Sequence, residues 1–451
     1  MSKKKYTIDM LNGPMWKKMI AFALPLAFTS ILQQLFNSAD VAVVGRFAGS
    51  NALAAVGANV ALVGIFVNFL VGFSIGPNVV LAKLIGQGRT EDARKIVGTT
   101  ITLAVAIGAV SLAVGEVCTR PVLVFLSTPE EVLADAVLYF QLYLIGIPFM
   151  AIYNFGSALL RSVGDTRRPL YCLIISGVVN VILNLFFVIV LKMGVAGVSI
   201  ATVISNVLSC AMVVVILIRE KGILHLDIRG MRPDMKYAGA IARFGFPAGI
   251  QNMVFSVSNM FIQSGINSFG SAAIAGSSAA LNFEYFTYDM VAGFGQATVT
   301  FTSQNYGAGK IDRCKRVFWI GMAEAMLFTA IMCGIFVIWR YQFVRLYTTE
   351  PEVIDYAIKR MMCVMSIEFL TALYDISCGA LRGFGKALAP SVMTIIGTVC
   401  FRIVWMFTVF AHFKTFESLM IVYPVSWVFT AIMTITALFI LYGKQRSRMQ
   451  L

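Results

Sequence analysis

Asp40 shares an apolar stretch with Gln33, Gln34 and Asn37, and this is where the chain could do chemistry. Gln33, Asn37 and Asp40 fall at i, i+4 and i+7, one face of a helix. Asn180 and Asn184 show the same four-residue spacing, and Thr202 lies in the next apolar stretch. Ionisable groups in hydrocarbon are costly, which makes each a functional candidate. A carboxylate among amide and hydroxyl oxygens suits a dehydrated Na⁺, a hard cation that prefers oxygen, or a proton held by the acid itself. The same residues also fit a plainer arrangement, with Asp40 hydrated near the outer end of its helix and the amides joining helices.

A second set of polar residues lies in the later half. Glu284 and Asp289, Glu324, Glu368 and Asp375, and Arg402 occupy four further apolar stretches. A guanidinium as deep as Arg402 should pair with an acid, Glu284 or Glu368 being nearest in depth, either as a structural ion pair or as a second coupling or substrate site. Asn252, Ser256, Asn259 and Gln263 make a polar face at helical spacing that reads as cavity lining. Asp355 and Lys359, four apart, read as an interfacial pair.

These groups need elements to position them, and composition says which. With 451 residues, 59% of them hydrophobic and 13% charged, and a mean hydropathy of +0.82, the chain reads as an all-α integral membrane protein. Twelve spans are expected, at about 17–42, 53–80, 96–118, 133–154, 169–191, 195–218, 238–264, 274–302, 317–339, 354–377, 388–411 and 417–442. Alternate connections are Lys/Arg-rich, which predicts a multi-pass protein of the plasma or inner membrane with both termini cytoplasmic. The formal net charge of +14 follows from that bias, with anionic lipid as its contact and no nucleic acid. The Lys-rich start leads into a hydrophobic stretch without a cleavage pattern, so no signal peptide is expected. Eight cysteines and two histidines lack metal-ligand spacing; no disulfide, metal site or other cofactor is expected. No Walker spacing occurs, so ATP is not the direct energy source.

The chain also repeats itself. Ala158–Pro169 returns as Gly379–Pro390, with Leu160, Arg161, Gly164 and Pro169 matched by Leu381, Arg382, Gly385 and Pro390; the same offset pairs Gly86, Gly88 and Arg89 with Gly307, Gly309 and Lys310. Two homologous six-span lobes of like orientation follow: residues 1–218, a cytoplasmic linker 219–237, and residues 238–451. Pro25 and Pro247 sit at equivalent depths of spans 1 and 7, where they favour bending. The polar set of the first lobe is not duplicated. Ile262, Phe401, Trp405 and Tyr423 stand opposite Asp40, Asn180, Asn184 and Thr202.

Asp40-Val-Ala-Val-Val-Gly-Arg46 with Ala52–Gly57, the Ser303–Lys310 loop and the paired Leu-Arg-x-x-Gly segments resemble the multidrug and toxic compound extrusion family of prokaryotes. The resemblance implies a two-lobed, twelve-helix exporter of small amphiphilic, usually cationic compounds. It would use H⁺ or Na⁺ as coupling ion, need no cofactor, and work by alternating access as a monomer. It also places the family's first-lobe cation site at Asp40, Asn180, Asn184 and Thr202. Many relatives have an acid where this chain has Asn184, so the cage carries one formal charge. Phe255 and Thr371 stand where another branch has acids, so Glu284, Glu368 and Asp375 do not inherit those roles. Gln33, Gln34, Asn37, Asn259, Glu284, Glu368, Asp375 and Arg402 remain substrate-cavity candidates. A related alternative, a flippase for a lipid-linked precursor, would use a basic cleft, for which Arg402 is the deep cation.

Overall fold

The structure is a computed structural model and describes residues 6–126, 128–228 and 232–449. Every regular element among them is helical. In lipid this follows from backbone chemistry, because a helix satisfies its own N–H and C=O groups. Twelve long helical segments follow one another, with one short helix, Arg340–Arg345, between the ninth and the tenth. They are α1 (Met15–Phe47), α2 (Asn51–Gly86), α3 (Thr90–Phe125), α4 (Glu130–Ile145 and Ile147–Ser162), α5 (Arg167–Val190), α6 (Gly194–Arg219), α7 (Met235–Asn267), α8 (Ser271–Gly307), α9 (Ile311–Ile338), α10 (Pro351–Gly383), α11 (Leu388–Phe413) and α12 (Phe416–Lys444). Nine of them are long and apolar enough to cross a bilayer, and α4, bent by 42° between its halves, makes a tenth. The other two, α7 and α8, have 33 and 37 residues, ample for a ~30 Å core at ~1.5 Å per residue. They miss the apolar criterion because they hold the polar face Asn252–Gln263 and the acids Glu284 and Asp289.

The internal repeat is visible in the backbone. Gly88 and Gly309 have φ of 71° and 72°, and Gly164 and Gly385 have 89° and 83°. Each matched pair ends a helix in the left-handed region, which glycine enters without a Cβ penalty. At Gly164 the space is closed too, since a Cβ would come within 2.6 Å of the Ile8 backbone.

Two compact units emerge, with boundaries other than those expected from the linker. Of the described residues, one comprises 6–8 and those from Thr29 to Gly249; the other comprises Asp9–Phe28 and 250–449. The divisions fall within one turn after Pro25 of α1 and Pro247 of α7. A proline inside a helix leaves a carbonyl without its partner N–H, so these are the weakest points of each ladder. The described residues of the linker, 219–228 and 232–237, lie within the first unit.

Each unit has its own apolar core. In the first, Phe73 stacks on Phe155 at 5.5 Å between ring centroids, and Gly108 admits the Pro148 backbone, whose Cα would stand 2.5 Å from a Cβ there. In the second, Phe283 packs with Phe336 and Phe343 at 5.2 and 5.5 Å. Buried hydroxyls return their protons to the carbonyl one turn back, as Thr119 does to Gly115 at 2.6 Å and Thr298 to Phe294 at 2.9 Å. Each such bond satisfies a donor that hydrocarbon could not.

Candidate cation site of the first unit

Asp40, Asn180, Asn184 and Thr202 come together in the first unit. The four-residue spacing of Asn180 and Asn184 puts both amides on one face of α5, where Asn184 Nδ2 donates to Asn180 Oδ1 at 3.2 Å. The same Nδ2 donates to Asp40 Oδ1 on α1. Asn180 Nδ2 donates to the Thr202 hydroxyl of α6 at 3.4 Å, and that hydroxyl donates to Val198 O at 3.0 Å. Three helices thus contribute one carboxylate, two amides and a hydroxyl to a continuous chain.

Asn184 is fully buried and Asn180 nearly so, while Asp40 and Thr202 are half-buried. Asn184 Oδ1 has no hydrogen-bond partner among the described residues. Leaving a buried acceptor unmade costs about 1–3 kcal/mol, so this oxygen is available to a cation.

A close approach of α1 and α5 sets the geometry. A Cβ at Gly177 would lie 1.9 Å from the Phe36 ring, so only glycine lets that ring seat on α5. Phe36 and Gly177 are each about one turn before the groups they bring together, Asp40 and Asn180. Beyond Asn184 the helix widens into a π-type turn at Phe186–Val190, a feature frequent at functional sites. Tyr139 and Tyr143 of α4 are buried in the same unit, with ring centroids 6.2 Å apart. Of the other α1 candidates, Gln33 and Gln34 are half-buried and Asn37 is exposed; none of the three is bonded to this chain of groups.

The polar residues of the second unit behave differently. Glu284 is held bidentately by Arg360, at 2.7 and 2.8 Å, with both partners buried. The expected pairing of Arg402 with Glu284 or Glu368 therefore does not occur. Arg402 is 1% exposed and donates to Ser426 Oγ at 3.2 Å and Asn259 Oδ1 at 3.1 Å. Its guanidinium lies over the rings of Tyr423 and Phe255 at 4.4 and 5.3 Å. Neutral oxygens and π faces replace the acid because Arg360 already occupies Glu284. Glu368, in a 3₁₀ segment of α10 (Met365–Leu370), accepts the Thr287 hydroxyl, and Asp375 fills the space beside Gly295 that a Cβ would need.

Sequence reasoning missed Arg360, though a signal existed. Val353, Ala357, Arg360 and Met361 form the buried stripe at the start of α10, and an arginine in register with core residues must find a buried acid. The neighbouring Asp355–Lys359 pair is as expected, 2.8 Å long with side chains 59% and 41% exposed.

Comparison with known proteins agrees with this architecture. The chain is similar to the probable multidrug resistance protein YoeA of Bacillus subtilis (strain 168), 27% identical over 387 residues and covering 84% of each chain. It is similar to the probable multidrug resistance protein NorM of Thermotoga maritima, 27% identical over 407 residues, 88% of this chain and 86% of that one. Among solved structures, the outward-facing conformation of a multidrug resistance MATE family transporter of the MOP superfamily matches with a TM-score of 0.91 at 19% identity, over 99% of this chain and 100% of that one. A mutant of the Vibrio cholerae MATE transporter VcmN matches with a TM-score of 0.86 at 22% identity, over 95% and 96%. The model of the MatE family matches twice, over residues 25–186 and 247–408, beginning each time at one of the two matched prolines. Matched in both of its repeats and over most of its length, the chain belongs to the MatE family.

Proposed function

We propose that this protein is a secondary multidrug exporter of the plasma or inner membrane, a transporter and not an enzyme. It exchanges small amphiphilic organic cations for H⁺ or Na⁺ bound at Asp40. The single observation behind the coupling role is the set of three helices converging on one carboxylate, with a buried, unpartnered amide oxygen beside it. The names of the relatives, multidrug resistance and multidrug export proteins, support the choice of substrate.

The chemistry runs through Asn184. As the groups stand, its amino group faces Asp40, an arrangement suited to an ionised carboxylate without a cation. A Na⁺ between Asp40 and the amides would be repelled by that NH₂, and a protonated Asp40 would offer it a donor instead of an acceptor. Either event favours turning the Asn184 amide so that Oδ1 faces Asp40. The bond lost is charge-assisted and worth about 1.5–3 kcal/mol, which moves an equilibrium roughly ten- to a hundredfold. A complete switch needs about 5.5 kcal/mol, so differential binding of the exported compound supplies the remainder.

Inside-out vesicles loaded by an imposed pH gradient or, separately, a Na⁺ gradient test this with a fluorescent cationic dye. Wild type should move the dye under one gradient and Asp40→Asn under neither; equal transport by both proteins would remove Asp40 from the mechanism. The flippase reading rests on Arg402, whose guanidinium is already engaged by Ser426, Asn259 and Tyr423, so the exporter is favoured.

A further inference from the structure

Two concavities of the first unit meet at one ion pair, at the end that the loop charges mark as cytoplasmic. The larger, of about 880 Å³, opens between the start of α3 and the segment joining α6 to α7. Arg94 and Lys95 line one wall, and Lys221 and Arg232 the other. All four are exposed, and none makes an ion pair among the described residues. The acids there are partly committed: Glu220 pairs with Arg168 at 2.5 Å, and Asp234 Oδ1 accepts the Lys236 N–H at 2.9 Å. Asp227 stands at the rim with His225, whose Nδ1 lies 2.8 Å from Glu220 O.

This is more than a solvated basic loop, because both walls are anchored. Leu224 and Leu226 are each 3% exposed and join the apolar core, and Leu226 N–H donates to Leu217 O at 3.0 Å. The Asp234 N–H donates to Thr99 Oγ1 of α3 at 3.1 Å.

The second concavity, of about 430 Å³, is an apolar groove along α5 and α6. Arg168, Tyr171, Cys172 and Ile175 line one side at i, i+3, i+4 and i+7, facing Met212 and Val215 on the other. Arg168 heads this groove, and its partner Glu220 lines the cavity.

We infer that this is a site for one phospholipid of the cytoplasmic leaflet, its anionic headgroup in the basic cavity and an acyl chain in the α5–α6 groove. Charge complementarity selects the headgroup, and the groove starting at its edge makes the occupant a lipid and not a free anion. Basic pockets beside membrane helices on this side suit such headgroups.

Native mass spectrometry of the full chain, with phosphatidylglycerol or phosphatidylcholine of identical acyl chains, tests it. A one-to-one phosphatidylglycerol adduct should survive where the phosphatidylcholine adduct is lost. Lys221→Gln with Arg232→Gln should weaken it roughly thirtyfold, at about a fivefold loss per surface cation. Arg94→Gln with Lys95→Gln, on the opposite wall, should do the same and serves if the first pair fails to fold. Ile175→Trp with Val215→Trp should lower lipid retention by filling the groove. Equal retention of both lipids, adducts unchanged in the charge variants, or protection by inorganic phosphate that the groove variant leaves intact with no lipid adduct, would each overturn the assignment.

Discussion

Asp40 in the first unit and Glu284 in the second are held in opposite ways. In the first, one carboxylate is shared by neutral amides and a hydroxyl, with no cation of the protein's own and one amide oxygen left open. In the second, Glu284 is closed by a bidentate arginine, and Arg402 by neutral oxygens and aromatic faces. A carboxylate neutralised by Arg360 cannot trade its partner for an ion from solution without leaving a buried charge uncompensated. One held by an amide can, because an amide offers either a donor or an acceptor by turning over. Asp40 thus has partners it can exchange, and Glu284 has partners that are fixed.

The comparison breaks most sharply at Arg360. Arg360→Ala should cost about 3–5 kcal/mol by stranding Glu284, whereas Arg360→Met with Glu284→Leu should be close to neutral; thermal unfolding in detergent reads both. If the single variant were harmless, Glu284 would not be the fixed carboxylate. Asn184→Ala in the first unit should cost about 1.5–3 kcal/mol of interaction with Asp40, read as a lowered melting temperature together with a loss of ion-dependent transport. Unimpaired transport would mean that the amide does not gate the carboxylate. Gly177→Ala should cost about 1–3 kcal/mol, since a methyl there meets the Phe36 ring, and it should impair transport alongside stability by moving α1 off α5. The smallest effect belongs to Asp355→Asn, at about 0.3–0.5 kcal/mol for an exposed i, i+4 pair; a larger loss of stability would show that a charge outside both networks matters.

Much of this was legible in the chain alone. Hydropathy located the helices, and the recurrence of Gly88 and Gly164 at Gly309 and Gly385 marked the repeat, because a left-handed helix end depends on one residue type. The Asn180/Asn184 spacing marked a shared face, since four residues make about one helical turn. Arg360 and the partner of Arg402 were not legible, because pairing in a core depends on how neighbouring helices are rotated. The approach of Phe36 to Gly177 is likewise a matter of packing, and a glycine in an apolar run does not announce which ring will lie against it. The unit boundaries were hidden for the same reason: contacts, not linkers, define them, and the linker anchors Leu224 and Leu226 in the core of one unit.

Those boundaries also bear on ancestry. Each unit takes the first part of its opening helix from the other repeat, Asp9–Phe28 in one case and the stretch of α7 up to Gly249 in the other. A lone six-span ancestor folded this way would lack a half-helix and would complete itself only by receiving one from a second copy, the arrangement of a domain-swapped dimer. The two repeats of the present chain have diverged, with Ile262 of one standing opposite Asp40 of the other.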